Sequence, residues 1–447
     1  MNNQYFVIKD DGQVLSPDKY LESVECSQDF RVFVEREALD QKAVARDEKS
    51  EYLFYANSLG FNWEPNSDSG FVQYDYKANL IMRLIKDYSR KLVSEIGFPI
   101  YEVRGANFFD MSYPVVKAYA GLYGDRLFQF DSGEKKLVMS YDASYPQFNL
   151  AEKYSLKERD LPFAHFSVSD CYRQEQSGEC MLLYRQRRFF MPDLHPYFKD
   201  VNQAFEWFPK IERKLFEAVG EINRHYEVVV EVSSQKNWEE YQEPIKAIAK
   251  NLGQDILVAV LMDGKDRYWI INVDYKIIDR LGQSREICCI QIDVGNASRL
   301  GIVYADSNNQ KINPVIIHAA VPGGIERYLY MIFDRFKESF PLWLFPSQIR
   351  LIPIHESHIE FCQKLVNQCS HLPVRIEIDD RSEHLNKRIK QAHEAFVPFP
   401  LVIGNNEQFS AEGLNKFNEV IHKIVESSKH KPFIPMGYPN FISQQIK

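Results

Sequence analysis

The strongest constraint on the fold is a long succession of short apolar segments with strand character through the middle of the chain. They extend from about residue 99 to residue 320, and the clearest are EVVVEV, DILVAVLM, RYWIINVDYKII, EICCIQIDV and NPVIIHAA. Apolar residues at helical spacing occur between them, from Tyr74 to Gly97 and from about Val201 to Tyr226. This pattern predicts an α+β domain, in which a large and mostly antiparallel sheet is flanked by helices.

The pattern changes after the segment FPLWLFP, whose prolines Pro341 and Pro346 indicate a domain boundary. Beyond it, QIRLIPI, VRIEIDD and FPLVIGN alternate with amphipathic helical segments, which is typical of a smaller α/β domain with parallel strands. At the amino end, YFVIKDDGQV predicts a hairpin with Asp-Gly at its turn. We therefore predict an N-terminal appendage over residues 1–52, a main domain over 53–340 and an α/β domain over 341–447.

Charge and cysteine content restrict the kind of protein further. The 447 residues carry 54 basic and 62 acidic side chains, which gives a net charge of −8. Because the whole protein is negatively charged, a nucleic-acid partner would have to be held by local basic patches. The seven cysteines are odd in number and contain no C-x-x-C pair, which favours buried thiols in a reducing compartment. The start of the chain lacks a leader pattern, and no apolar run is long enough to cross a membrane. These features predict a soluble cytoplasmic protein without a membrane partner.

Candidate chemistry is concentrated between Ser169 and His195, in the segment SDCYRQEQSGECMLLYRQRRFFMPDLH. If the segment is a pair of antiparallel strands, Arg173 and Glu175 share one face, and Arg185, Arg187 and Phe189 share a face of the return strand. Arginines hold phosphate oxygens, a carboxylate accepts from an exocyclic amine, and an aromatic ring stacks on a base. The pattern suits a purine nucleoside triphosphate, although a solvated charged hairpin would look similar.

A second candidate segment is AAVPGGIERYLYMIFDRF, in which two glycines precede a predicted helix that opens with Glu326 and Arg327. Glycines at a helix entry let a ligand approach the backbone, and the arginine adds a partner for phosphate. Alone this signal is weak, because helix entries often carry glycine.

Taken together, the two segments resemble motifs 2 and 3 of class II aminoacyl-tRNA synthetases, and the chain is most similar to threonyl-tRNA synthetases of the archaeal type. The resemblance extends from about Tyr52 to the C-terminus. It is carried by YRQEQSGE, RQRRFFMPDLH, IQIDVGNASRLGIVY, VIIHAAVPGGIER, FPLWLFPSQIRLIPI and IDDRSEHLNKRI. The implied fold is the class II antiparallel sheet flanked by helices, followed by an α/β anticodon-binding domain. The implied activity is activation of threonine with ATP and its transfer to tRNA(Thr).

The resemblance also implies roles for individual residues at the ATP site. Arg173 would grip the α-phosphate, Glu175 would read the adenine amine, and Arg185 would hold the γ-phosphate. Phe189 would stack on adenine, and Arg327 would cover the other face of the base and contact the γ-phosphate. Arg173 and Arg327 would thus be the catalytic residues, with Mg²⁺ bridging the phosphates. Adenylate formation by this arrangement needs positioning and charge stabilisation, and no general base.

At the amino-acid site, the resemblance implies that Asp193 and Gln291 bind the substrate amino group. The family holds Zn²⁺ through two histidines, matched by His195 and His318, and a cysteine, whose position is occupied here by Ser144. Serine is a poor zinc ligand, so either Cys289 or Asp142 supplies a third ligand, or the histidines are simply hydrogen-bonded. Cys289 precedes Gln291 by two residues, so both would face the site if this stretch is a strand.

Partners follow from the same resemblance. Family members are homodimers built on motif 1, but the proline expected there is not evident in IYEVRGANFFDM, and Gly324 stands where a serine is common. The basic strand that reads the anticodon is also missing after FPLVIGN, which leaves Arg381, Lys387, Arg388 and Lys390 as candidate phosphate contacts. Because the segment ahead of the resemblance is short, we expect no editing domain, and we expect any correction to come from a protein acting in trans.

Two further functions remain open at this stage. A divergent paralog could adenylate another amino acid or serve another acceptor, which the serine at position 144 and the missing basic strand favour. A non-catalytic RNA-binding or regulatory protein is the third reading. Retention of the ATP residues argues against it, because a binding module does not need an adenylation pocket.

Overall fold

The computed structural model describes residues 3–40, 50–410 and 412–446. Much of the charged segment that follows the predicted hairpin, residues 41–49, lies outside the described residues. In chain order the strands are β1 Gln4–Ile8, β2 Val14–Leu15, β3 Phe61–Trp63, β4 Val72–Tyr74, β5 Ile100–Glu102, β6 Phe108–Asp110, β7 Gln129–Ser132, β8 Lys135–Met139, β9 Leu156–Lys157, β10 Phe163–Tyr172, β11 Arg188–Phe198, β12 Glu227–Val232, β13 Ile256–Val260, β14 Trp269–Ile278, β15 Ser284–Asp293, β16 Tyr304–Ala305, β17 Lys311–Ile312, β18 Val315–Ala320, β19 Ile349–Pro353, β20 Ile376–Ile378 and β21 Phe399–Ile403.

The helices are α1 Pro17–Ser23, α2 Gln28–Glu37, α3 Tyr52–Ser58, α4 Tyr76–Ser94, α5 Pro114–Ala120, α6 Ser144–Ala151, α7 Val201–Gly220, α8 Gln235–Leu252, α9 Asn296–Arg299, α10 Ile325–Asp334, α11 Phe336–Ser339, α12 Ile359–Gln368, α13 Leu385–Glu394, α14 Asn405–Phe409 and α15 Asn415–Ser427. Local signals set several ends: the Asp200 and Ser234 side chains cap the first turns of α7 and α8, and Gly253 ends α8 in the left-handed conformation. Within the described part of the chain, no helix is both long and apolar enough to cross a membrane.

The large sheet has ten strands in the order β2-β1-β13-β12-β14-β15-β18-β11-β10-β5. Its pairs are antiparallel except β12 with β13 and β10 with β5, so the predicted α+β class and mostly antiparallel sheet are confirmed. The predicted hairpin is also present, since β1 pairs with β2 and Gly12 adopts a φ of +88° beyond the Asp11 turn.

The structure divides into two compact units whose limits differ from the predicted domains. The first comprises residues 1–52, 64–71 and 92–335, and the second comprises 53–63, 72–91 and 336–447. The predicted appendage is part of the first unit, because β1 pairs along its whole length with β13 and extends the large sheet. Side chains of α2, including Phe30, Phe33 and Val34, bury against the sheet beside Val229 and Leu257. This pairing joins segments about 250 residues apart, which local patterns do not reveal.

The second unit contains the parallel sheet β20-β19-β21 that the sequence predicts. Its core consists of Ile349, Leu351, Ile376 and Leu401 from the strands, with apolar side chains of α12 and α15 packed against them. After β21 the chain enters α14 directly.

Candidate active site

A cavity of about 160 Å³ opens on one face of the large sheet, in the first unit. A cavity of this size accommodates a small organic molecule. It is lined by residues of strands β10, β11, β15 and β18, of helix α10 and of other nearby segments. Among them are Tyr123, Arg173, Asp193, Tyr268, Glu286, Cys289, Gln291, His318 and Arg327. The structure thus brings Arg173, Asp193, Gln291, His318 and Arg327 to the wall of one cavity, together with Ser144 and the third-ligand candidates Asp142 and Cys289. The other predicted site residues do not line it: Glu175, Arg185, Phe189 and His195.

Arg173 is fixed at this wall by its backbone and by aromatic rings. Its Nε donates to the backbone carbonyl of Tyr141 at 3.0 Å. The guanidinium lies over the rings of Phe189 and Tyr123, with distances to the ring centroids of 5.1 and 5.3 Å. Cation–π contacts of this kind restrict the arginine and leave its Nη atoms for an anionic ligand. Phe189, the predicted stacking partner of adenine, therefore lies directly beside the predicted α-phosphate ligand.

The loop after β10 differs from the predicted pair of continuous strands. Strand β10 ends at Tyr172 and β11 begins at Arg188, so the alternation rule does not apply to Arg173, Glu175, Arg185 or Arg187. The expectation that Arg185, Arg187 and Phe189 share one face was wrong. Arg185 pairs with Glu179 at 3.1 Å, whereas Arg187 is buried and turns toward the backbone of Glu175.

Glu175 is 6 % exposed, and among the described residues its Oε2 atom has no hydrogen-bond partner. A buried carboxylate oxygen without a donor costs free energy unless a ligand supplies one. This vacancy suits the role that the family resemblance implies for Glu175, because an exocyclic amine is such a donor.

Arg327 projects from the first turn of α10. Its Nη1 lies 2.7 Å from Glu286 Oε1, and its guanidinium lies over the ring of Tyr184. Burial is the largest single effect on the pKa of Glu286 and would raise it, but the charge and hydrogen bond of Arg327, together with the charges of Lys276 and Arg173, lower that pKa. Gly323, just before the helix, has a φ of +131°, and a Cβ there would lie 3.0 Å from the carbonyl oxygen of Ile287. The glycine is therefore required to bring α10 this close to β15.

Asp193 and Gln291 reach the cavity from β11 and β15, the two strands that flank β18. Gln291 is paired in register with His318, and Asp193 with Ala320, so β15, β18 and β11 present these side chains together. Gln291 accepts a hydrogen bond from the Tyr268 hydroxyl at 3.0 Å and donates to Asn272 at 3.1 Å. Burial raises the pKa of Asp193 to about 7, against the opposing charge of His318.

The three positions at which the family resemblance implies metal ligands lie within hydrogen-bonding distance of one another, and two of them, Ser144 and His318, line the cavity. His195 Nε2 lies 3.1 Å from His318 Nδ1 and 3.0 Å from Ser144 Oγ. Ser144 Oγ is also 3.5 Å from His318 Nδ1 and 3.4 Å from Asp193 Oδ2. The serine hydroxyl is therefore shared among three polar side chains.

This donor set does not fit the implied zinc ion. It offers two imidazole nitrogens and a neutral hydroxyl, whereas protein zinc sites use three or four thiolate, imidazole or carboxylate ligands. Within residues 3–40, 50–410 and 412–446, no group of three or more His, Cys, Asp or Glu side chains is placed to hold a metal ion. Asp142 is engaged by the Tyr123 hydroxyl at 2.8 Å, and burial raises the pKa of the Cys289 thiol. The geometry matches the alternative of hydrogen-bonded histidines.

Sequence reasoning missed the residues that orient these histidines. His195 Nδ1 lies 3.0 Å from Gln147 Oε1, and His318 Nε2 lies 2.7 Å from Asp293 Oδ2. Gln147 also donates from Nε2 to Ser167 at 2.9 Å and to the Asp193 carbonyl at 3.1 Å. The only signal was its place on helix α6, three residues after Ser144, where side chains share a helix face.

Comparison with known proteins agrees with this architecture. Residues 128–336 match the model of the tRNA synthetase class II core domain (G, H, P, S and T), and residues 348–414 match the anticodon binding domain. The threonine–tRNA ligase of Pyrobaculum calidifontis is 34 % identical over 99 % of this chain and 74 % of its own length. That of Nanoarchaeum equitans is 37 % identical over 93 % of this chain and 68 % of its own length.

Among solved structures, the RNA binding domain of threonyl-tRNA synthetase from Cryptosporidium parvum superposes with a TM-score of 0.72. It shares 21 % identity and covers 80 % of this chain and 90 % of its own, which supports the fold. The sequence identities to the archaeal relatives, over nearly the whole chain, establish the family. This chain belongs to the threonine–tRNA ligase family of class II aminoacyl-tRNA synthetases.

Proposed function

We propose that this chain activates threonine with ATP and transfers it to tRNA(Thr). The observation that carries the proposal is one cavity whose wall holds Arg173 and Arg327 together with Asp193, Gln291 and His318. The guanidinium groups suit a polyphosphate, and the carboxylate and amide suit an ammonium group. A nucleotide and a small amino acid can therefore meet in one place, as adenylate formation requires.

In the first step, a carboxylate oxygen of threonine attacks the α-phosphorus of ATP, and pyrophosphate leaves as the bond to the β-phosphate oxygen breaks. Arg173 stabilises the charge that develops on the α-phosphate, and Arg327 holds the departing phosphates. Mg²⁺, when bound to ATP, supplies further neutralisation of the phosphate charge. Because the attacking carboxylate is already ionised, the chain needs only to align the two substrates.

In the second step, a hydroxyl of the terminal ribose of tRNA attacks the activated carbonyl carbon, and AMP leaves. Asp193 and Gln291 keep the substrate ammonium in place during both steps. The hydroxyl of threonine is assigned to the polar group of Ser144, His195 and His318. A site that hydrogen-bonds a substrate hydroxyl rejects an analogue that lacks it.

A second candidate is a synthetase that activates another amino acid or serves another acceptor. Ser144 favours it, because this serine stands where the family resemblance implies a metal ligand and its hydroxyl lies beside both histidines. Homodimer formation, a trans-editing partner and a cytoplasmic location also remain predictions from the family resemblance. Reading of the anticodon is likewise still a prediction. The four candidate phosphate contacts each have a partner in the structure: Arg381 pairs with Asp379, Lys387 with Glu383, Lys390 with Glu394, and Arg388 donates to the Asp379 carbonyl.

The test is charging of tRNA(Thr) transcript with labelled threonine, with tRNA(Ser) and tRNA(Pro) transcripts as controls. We expect acid-precipitable threonine only on tRNA(Thr). Charging of a different tRNA, or of tRNA(Thr) with a different amino acid, would support the second candidate and overturn the first.

A further inference from the structure

Arg187 lies outside the wall of the cavity but makes a set of contacts that no binding role explains. Its side chain is only 7 % exposed, and Nε donates to the backbone carbonyl of Glu175 at 2.9 Å. Nη1 pairs with Asp68, and Nη2 lies 3.4 Å from Ser177 Oγ. One guanidinium thus joins three acceptors, a task for which its rigid planar fork is suited and a lysine ammonium is not.

Two of these acceptors, the Glu175 carbonyl and the Ser177 hydroxyl, belong to the loop between β10 and β11 that also carries Arg173. The backbone of Arg187 extends the connection, since its carbonyl accepts from Arg173 N at 3.0 Å and its N–H donates to the Gly70 carbonyl at 2.8 Å. The Ser69 hydroxyl donates to Ser177 at 3.0 Å. Residues 68–70 therefore act as a support against which Arg187 holds the loop.

The support leaves no room for a side chain at position 70. Gly70 has a φ of +88°, and a Cβ there would lie 2.8 Å from Cys180 Sγ and 2.9 Å from Arg187 Cγ. Because Gly70 has no side chain, the aliphatic part of the Arg187 side chain can lie directly beside the Gly70 backbone. A buried carbonyl without a donor is costly, so loss of Arg187 would move the Glu175 backbone toward another partner.

We propose that Arg187, anchored by Asp68, is a positioning residue that holds Glu175 in place to recognise the amine of adenine. The inference rests on the proposed function for the role of Glu175. Arg187 is not assigned a contact with the substrate. It acts by fixing the backbone from which the unpartnered Oε2 of Glu175 is presented.

The experiment compares binding of Mg²⁺-ATP and of Mg²⁺-inosine triphosphate, which lacks the exocyclic amine, by isothermal titration calorimetry. Arg187→Lys keeps the charge and removes the fork. Arg188→Lys is the matched control, because the Arg188 side chain pairs with Asp170 of β10 at 2.8 Å. We expect Arg187→Lys to weaken ATP binding about tenfold while inosine triphosphate binding stays unchanged, so that the preference for ATP falls.

Asp68→Asn provides a second variant that should fold normally, because the Asp68 side chain is 70 % exposed. It should lower the preference for ATP in the same direction, by about threefold. With threonine present, the KM for ATP should rise in both variants while the KM for threonine stays constant.

The proposal is overturned if Arg187→Lys and Asp68→Asn keep the ATP preference of the Arg188→Lys control. It is also overturned if the unmodified chain does not prefer ATP to inosine triphosphate. Failure of the proposed function looks different: the chain would bind ATP with this preference but show no threonine-dependent pyrophosphate exchange.

Discussion

The residues that the family resemblance implies for the nucleotide and those that it implies for the amino acid differ in how far they are kept. We call these two sets the nucleotide end and the amino-acid end of the proposed site. At the nucleotide end, Arg173, Glu175, Arg185, Phe189 and Arg327 are all of the implied type. At the other end, Asp193, Gln291 and both histidines are present, but a serine replaces the third metal ligand. The chemistry of adenylation is the same for every amino acid, whereas the side-chain pocket decides which amino acid enters. The comparison shows that one end can be retained while the other is altered.

The most severe test of the nucleotide end is Arg173→Ala. We expect threonine-dependent exchange to fall by a factor of about 10³ or more, because a preorganised cation at the reacting phosphate is lost. Steady-state exchange measures the effect, and circular dichroism checks that the fold persists. Arg104→Ala, which alters a side chain that is 74 % exposed, is the control. Full activity of Arg173→Ala would remove its assigned role.

The amino-acid end is tested by Ser144→Cys, which restores a thiolate beside two histidines. We expect zinc affinity to rise by on the order of 100-fold, because a missing ligand matters at least as much as a missing outer-shell partner. Mass spectrometry of metal content after dialysis measures zinc per chain in the variant and in the unmodified protein. Stoichiometric zinc in the unmodified protein would contradict the hydrogen-bonded arrangement of the two histidines.

Independence of the two ends is tested by Gln147→Glu, which is nearly isosteric. The substitution replaces the amide donor to Ser167 and the Asp193 carbonyl by an acceptor. We expect the loss of these two buried hydrogen bonds to lower kcat/KM for threonine by about 10- to 100-fold. The KM for ATP is the internal control and should remain unchanged. A parallel loss in both constants would show that the ends are coupled.

The smallest effect is expected from Glu179→Gln, which releases Arg185 from its ion pair. Both side chains are partly exposed, so the pair is weak and the KM for ATP should fall by at most about fivefold. Glu360→Gln breaks the exposed Glu360–Lys364 pair in the second unit and is the matched control. An increase in the KM for ATP would mean that Glu179 itself assists the nucleotide.

Much of the fold could be predicted because its signals are local. The predicted helix from Tyr74 to Gly97 corresponds to α4, and EVVVEV and EICCIQIDV lie in β12 and β15. The pairing of β1 with β13 could not be predicted, since hydrogen bonding between distant strands leaves no periodic mark in either strand. Helix α8, which lies between two predicted strands, was missed for a different reason, since its buried residues Trp238, Ile245 and Ile248 do recur at helical spacing.

The site was predictable where strands carry it. Cys289 and Gln291 both line the cavity, as their spacing on β15 predicts. Arg187 and Gln147 could not be assigned, because one lies in a loop and the other serves the site through hydrogen bonds made only after folding. The alternation rule assigns side chains to the two faces of a sheet only within a strand, so it makes no prediction for residues beyond the ends of the strand.

The central claim is that the retained nucleotide end and the altered amino-acid end together still activate threonine. ATP–pyrophosphate exchange by the full chain with each of the twenty amino acids tests it most directly. We predict exchange with threonine well above that with valine or with any other amino acid. Preferential exchange with a different amino acid, or no exchange with any of the twenty, would contradict it.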